Sequence, residues 1–249
     1  MMDKSTIDNI IRVNKDFYDK VGPDFDKTRK SAWKGWGRVY EIIKEEMWEA
    51  DSLECPITVL DVACGNGRFI GVALEKEGLP FFQYLGIDSN DYLLDIARKN
   101  ANERIEFRKI DVINDIESLS PATFDVVVAF GITHHIPSSE FRKKWFSQLS
   151  KLVSKNGLLI FTIWNYQADE RFASVEALSP ELDLEEGDYF LGWADNKNAK
   201  RYFHKYIDAE LSEIDFILTS AGLKQIAKFK SDGKTGNLNE YFVYKRETS

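Results

Sequence analysis

The chain reads as an α/β protein built on a doubly wound, mostly parallel sheet. Three features predict this. From residue 57 onward, buried-strand patterns alternate with helical ones, the order that lays parallel strands side by side with helices on both faces. The first of these strands, around Ile57, Val59, Leu60 and Val62, runs into a turn holding Gly65 and Gly67, and a helical pattern follows from Arg68. The next two strands end in acids, Leu85-Gly86-Ile87-Asp88 and then Asp111.

Taken in order, the elements begin with a helix. Ile7, Ile10, Ile11, Phe17, Tyr18 and Val21 recur at helical spacing, and Gly22-Pro23 is expected to end the segment. A second helix is predicted from about Ala32 to Trp48, burying Trp36, Val39, Tyr40, Ile43 and Met47. Residues 1–50 are thus read as a helical cap on a domain spanning 51–249. Within that domain, strands are expected near 57–62, 83–88, 105–110, 124–130 and 158–164, with helices near 68–77, 90–100 and 139–153. For the last helix, Ser138 is a candidate cap and Phe141, Trp145, Phe146, Leu149 and Leu152 form an apolar stripe, with Asn156-Gly157 closing it. A helix near 208–221 and strands near 223–231 and 238–245 complete the chain. The stretch 166–206, holding Arg171, Trp193, Arg201, Tyr202 and His204, has weak periodicity. A connection that long in a compact domain is usually a lid or binding loop, and it is predicted to be a lid.

Composition narrows the function. The net charge is −8 and the pI about 5.1, which argues against a generic nucleic-acid binder. The charge is uneven, however: residues 12–38 carry eight Lys/Arg against four Asp, whereas residues 169–188 carry eight acids against Arg171. No apolar run reaches membrane-spanning length, and the N-terminus lacks the apolar core of a signal peptide. The two cysteines, Cys55 and Cys64, are too few for a disulfide framework, and no Cys/His spacing suggests a metal site. A cytoplasmic protein is expected.

In open α/β sheets the ligand sits beyond the C-terminal strand ends. That rule collects the loop Ala63, Cys64, Gly65, Asn66 and Gly67 after the first strand, and Asp88-Ser89 after the second. It adds Asp111-Val112 after the third, and Phe130-Gly131 followed by Thr133-His134-His135 after the fourth. A small-residue loop between a buried strand and a helix start lets a ligand approach the backbone closely. Asp61 stands near the strand end, ahead of the glycines. A nicotinamide-binding domain would share an acid about twenty residues on, but its G-x-G-x-x-G pattern fails: Ile70 occupies the third place and Gly71 comes one late.

The pair Val59-Leu60-Asp61-Val62-Ala63-Cys64-Gly65-Asn66-Gly67 and Gly86-Ile87-Asp88 resembles the first two motifs of class I S-adenosylmethionine-dependent methyltransferases, with Ala63 in place of the family's first glycine. The resemblance implies a Rossmann-like, seven-stranded sheet ending in an antiparallel hairpin. It further implies that the loop cradles the methionine part of S-adenosylmethionine, Asp88 takes the ribose hydroxyls, and Asp111 and Val112 read the adenine. A narrower resemblance covers nearly the whole chain. Phe17-Tyr18-Asp19-Lys20-Val21 with Thr28-Arg29, Ile132-Thr133-His134-His135, Ile163-Trp164-Asn165-Tyr166-Gln167 and Arg201-Tyr202-Phe203-His204 look like the tRNA wobble-uridine carboxymethyl methyltransferases, which esterify a carboxymethyl uridine. Two departures are Ala32-Trp33-Lys34, where that family has Pro-Trp-Pro, and the acidic insert at 169–188. By this resemblance Tyr18 and Arg29 reach the cofactor, Arg29 pairing with its carboxylate, and a small zinc-containing activator protein is a possible partner.

A carboxylate acceptor has no proton to lose, so it needs orientation and a cation rather than a base. Arg201 is the candidate cation. His135 and His204 are the candidates to line the pocket, although a lone histidine is more often structural. Lys15, Lys20, Lys27, Lys30 and Lys34 are candidates for phosphate contacts. The alternative reading is a small-molecule O-methyltransferase acting on a phenol, quinone or carboxylic acid, which the acidic pI favours.

Overall fold

A computed structural model describes residues 2–29, 31–47, 56–71, 82–165, 184–193 and 196–247. Its centre is a seven-stranded sheet in the order β3-β2-β1-β4-β5-β9-β8. The strands are β1 (Ile57–Val62), β2 (Phe82–Asp88), β3 (Ile105–Lys109), β4 (Phe124–Ala129), β5 (Val153–Trp164), β8 (Leu223–Ser231) and β9 (Asn239–Arg246). β1 to β5 run parallel, and β9 enters antiparallel between β5 and β8. The helices are α1 (Lys4–Thr28), α2 (Gly35–Met47), α3 (Asp91–Ala97), α4 (Ser139–Lys151) and α5 (Asp208–Ser220). A further helix opens at Arg68 and is described as far as Gly71; the rest of the predicted 68–77 helix lies outside the described residues.

Each central strand is apolar on both faces because both faces are covered. On one side, Leu60, Val62, Val127 and Phe161 meet Trp145, Phe146 and Leu149 of α4 and Ile214 and Leu218 of α5. On the other, Val59, Val126, Val128 and Ile160 meet Trp36, Val39, Ile42 and Ile43 of α2 and Leu94 and Ala97 of α3. Removing such a set from water is the main favourable term in folding.

Three local expectations give way to tertiary contacts. Gly22-Pro23 does not end α1, which continues to Thr28 with Pro23 inside it. A proline within a helix costs about 3 kcal/mol. Docking offsets that cost: Phe17 and Val21 are buried, and Gly22 sits so close to the Tyr92 ring that a Cβ there would lie 3.2 Å from it. Ser138 stands at the N-cap of α4, its carbonyl accepting from the Arg142 N–H at 2.9 Å, but at φ 63° its hydroxyl makes no capping bond. The Glu185 carboxylate accepts from the Ser139 N–H instead, at 2.8 and 3.1 Å. Asn156-Gly157 does not close that helix; both residues fall inside β5, beside a register shift against β4.

The stretch read as a weakly periodic connection contains an antiparallel hairpin, β6 (Asp188–Trp193) and β7 (Asn196–His204). Residues 166–183, with Arg171, lie outside the described residues. Among the described residues, no helix is long and apolar enough to cross a membrane.

Candidate active site

The loop after β1 explains its own sequence. Ala63, Gly65 and Gly67 have φ of 62°, 55° and 71°, so every second residue occupies the left-handed region that favours glycine. The Gly67 N–H donates to the Cys64 carbonyl at 3.0 Å, closing the turn. At Gly67 a Cβ would lie 3.0 Å from the Ala97 Cβ, so this glycine lets helix and loop pack. At Gly65 the nearest protein atom would be 3.9 Å away, so the loop's open wall is there. An open, left-handed backbone at a helix start is the cradle that the methionine part of S-adenosylmethionine needs, and the residues present fit it.

Asp88 holds this loop. One of its carboxylate oxygens accepts from the Gly65 N–H at 2.9 Å, the other from the Asn90 N–H at 2.8 Å. Burial pushes its carboxyl up, and these backbone bonds pull it back. Ser89, between them, is partly exposed. Asp61 lies beneath the loop, 2% exposed, with the Tyr84 hydroxyl donating to it at 2.6 Å. Burial pushes its carboxyl up to about 7, and the charge of Asp88 adds to the shift. Asp111 caps its own turn, accepting from the Ile113 and Asn114 N–H groups at 3.1 Å. The Val112 side chain is in the core, and its carbonyl accepts from the Trp145 indole at 2.7 Å. Phe130 packs into an aromatic group on the α2 side, 5.0 Å from the Phe69 ring and 5.9 Å from Trp36. Cys64 is buried, which pushes its thiol well up and leaves it inert.

α1 lies across these loops. The Asn66 amide donates to Asp26 at 2.8 Å, and the Asn90 amide to Asp19 at 2.9 Å. Arg29, the residue that caps α1, sits over the Phe25 ring at 5.0 Å, and its charge bears on Arg68. Tyr18 reaches the loop after β4, its hydroxyl 2.9 Å from His135 Nε2. The other ring nitrogen of His135 lies 2.8 Å from the Tyr202 carbonyl. A carbonyl only accepts, so Nδ1 carries the proton and Nε2 accepts from Tyr18. Burial, together with the charge of Arg201, lowers His135 to about 3; it is a neutral imidazole. Asn14 completes the junction by accepting from the Tyr202 N–H at 2.7 Å. Sequence reading missed Asn14, although a polar residue between Ile10 and Phe17 on an apolar stripe was its signal. Asn90 had only its place after Asp88.

Arg201 is buried in the same place. Its guanidinium lies 5.4 Å from the Phe17 ring and 5.3 Å from that of Trp164. The His134 ring lies 5.1 Å from that of Trp164 and 4.2 Å from that of His135. His204, at the end of β7, is elsewhere. It bridges Asp188 at 2.7 Å and Glu210 at 2.8 Å, while Arg142 pairs with Glu210 and Glu185. Burial lowers His204, but the two carboxylate bonds outweigh it and raise its proton affinity. Arg142 and His204 thus tie the hairpin to the starts of α4 and α5; His204 does not join Arg201 and His135. Of the basic residues expected to meet phosphates, Lys15 pairs with Asp19 and Lys27 with Asp24 on the exposed face of α1. Lys30 lies outside the described residues, and Lys20 and Lys34 are exposed.

Residues 60–159 match the family model described as a methyltransferase domain. The chain is 23% identical over 153 residues to the tRNA (carboxymethyluridine(34)-5-O)-methyltransferase of Arabidopsis thaliana, covering 61% of this chain and 33% of that one. It is 24% identical over 210 residues to an Encephalitozoon cuniculi protein named as a methyltransferase, covering 84% of this chain and 85% of the other. Among solved structures it resembles an S-adenosylmethionine-dependent methyltransferase from Clostridium acetobutylicum, with a TM-score of 0.63 and 17% identity over 93% of this chain and 99% of that chain. The aligned region spans a third of the length of the Arabidopsis enzyme.

Proposed function

We propose that this chain, a class I methyltransferase by its fold and by the domain at residues 60–159, esterifies the carboxylate of a carboxymethyl uridine in tRNA. S-adenosylmethionine, when bound, supplies a methyl group on a positively charged sulfur. Gly65 and its neighbours would hold the methionine part, and Asp88, fixed by two backbone N–H groups, would face the ribose with its remaining lone pairs. Arg29, at the end of α1 beside the loop, would meet the cofactor's carboxylate.

The observation that carries the acceptor class is the state of His135. A phenol must lose a proton during transfer, and a group that takes it works best with a pKa near the operating pH. His135 is held near 3, with both ring nitrogens occupied by Tyr18 and Tyr202. It can orient α1 and the hairpin but is a poor base. A carboxylate acceptor needs no base and does need a cation, and the buried guanidinium of Arg201 supplies one beside Trp164. The tRNA part of the reading is supported by the Arabidopsis relative, whose name states that acceptor. The exposed pairs on α1 are of the kind that contribute little, so Lys15 and Lys27 can exchange their aspartates for phosphates.

The test is methylation of tRNA carrying a 5-carboxymethyl uridine, read by nucleoside mass spectrometry. The methyl ester should form, activity should fall steeply with salt, and Arg201→Ala should lose most turnover while keeping affinity for S-adenosylhomocysteine. Methylation of free phenols or small acids with no product on any tRNA would overturn the reading.

A further inference from the structure

His134 has a feature that the reading above does not use. It is 6% exposed, and its Nδ1 is buried without a hydrogen-bond partner among the described residues. An unpaired buried nitrogen destabilises a fold, and native structures retain few of them. Its neighbour His135 shows what the same loop does for a histidine that serves the fold, since both of that ring's nitrogens are satisfied. His134 instead lies against Trp164, the ring that also carries the Arg201 guanidinium. His134 and Arg201 thus both pack against the same indole. Burial, with the charge of Arg201 beside it, holds His134 well below its ordinary value of 6.5, so it presents one N–H and one lone pair at neutral pH.

We propose that His134 is a specificity-determining residue whose Nδ1–H donates to a carbonyl oxygen of the acceptor ring, on the carbon next to the one bearing the carboxylate arm. This rests on the carboxymethyl-uridine reading. In the tautomer that carries its proton on Nδ1, His134 meets the carbonyl that a uracil ring has at that position, whereas the amino group of a cytosine ring would find no lone pair there and be rejected. Arg201 would then hold the arm while His134 identifies the base.

The experiment compares His134→Phe, His134→Asn and His134→Gln in the full chain. Three quantities are measured: melting temperature, S-adenosylhomocysteine affinity by calorimetry, and kcat/KM on tRNA carrying 5-carboxymethyl uridine. Phe keeps a ring against Trp164 and removes the unpaired nitrogen, so it should melt about 2–4 °C higher than the wild type. It should bind S-adenosylhomocysteine unchanged and lose about tenfold in kcat/KM, the usual worth of one hydrogen bond. Asn places its amide where Nδ1 stood and should recover most of that loss; Gln, whose amide falls where Nε2 stood, should not. A His134→Phe enzyme with wild-type kcat/KM, or one that melts lower while Asn fails to rescue, would overturn the role of His134 alone. A wild-type enzyme inactive on the carboxymethyl uridine would overturn the acceptor reading, and this role with it.

Discussion

Replacing Asp61 with Asn isolates one titration. Asp61 is 2% exposed, and its carboxyl sits at about 7 in the fold against an ordinary value of 3.8. Burial is the main cause; the Tyr84 hydroxyl opposes it and Asp88 adds to it. The sign follows from proton counting. Between pH 3.8 and 7 the unfolded chain has released this proton while the fold still holds it, so stability falls as pH rises through that window and levels off above it. At 1.36 kcal/mol per pH unit the loss is on the order of 4 kcal/mol at most. Asn offers Tyr84 the same acceptor without a charge. Asp61→Asn should therefore be close to wild type in stability at pH 4 and more stable at pH 8, by up to about that amount. Urea unfolding at the two pH values, with calorimetric titration of S-adenosylhomocysteine alongside, measures both effects. An equal stability difference at pH 4 and pH 8 would refute the reasoning.

Ala63→Gly should stabilise the chain by about 0.5–1 kcal/mol. A left-handed alanine costs about 1–2 kcal/mol, and the greater freedom of glycine in the unfolded chain takes back about 0.4–1 kcal/mol. Gly67→Ala at φ 71° should destabilise by more than that, because the new Cβ meets the backbone and side chain of Ala97; thermal melts of both variants check the pair. The hairpin clasp has its own pH window. His204, with a raised value, contributes below about 6.5 and loses this as pH rises past its folded value, while Glu210, lowered to about 2, contributes above 4.5 and loses this as pH falls. Chemical unfolding between pH 5 and 9 in the Asp61→Asn background should show the alkaline loss, and His204→Gln should flatten it.

The sequence by itself determined the elements whose cause is local. β1, the loop at 63–67 and the end of β2 were legible because a buried strand has an apolar run and a left-handed turn demands small residues. The same holds for α2 and α4, whose apolar stripes recur at helical spacing. Even the substitution at Ala63 was legible as a place for a small residue. What the sequence could not decide depends on partners distant in the chain. Pro23 reads as a stop until Tyr92 and the Asn66 and Asn90 amides dock α1 on the loops. Ser138 reads as a side-chain cap until the Glu185 carboxylate, from beyond β5, takes the Ser139 N–H instead. The β6–β7 hairpin reads as an unstructured connection because Tyr202, Phe203 and His204 are all buried, which erases the alternation that marks a strand with one wet face. The three histidines differ for the same reason. His135 was made neutral by burial and by the charge of Arg201, His204 was drawn into a charge network by two carboxylates, and His134 was left with a buried nitrogen to offer. A side chain's chemistry follows from what the fold places around it, and that is decided only when segments more than a hundred residues apart, such as Tyr18 and His135, are brought within hydrogen-bonding distance.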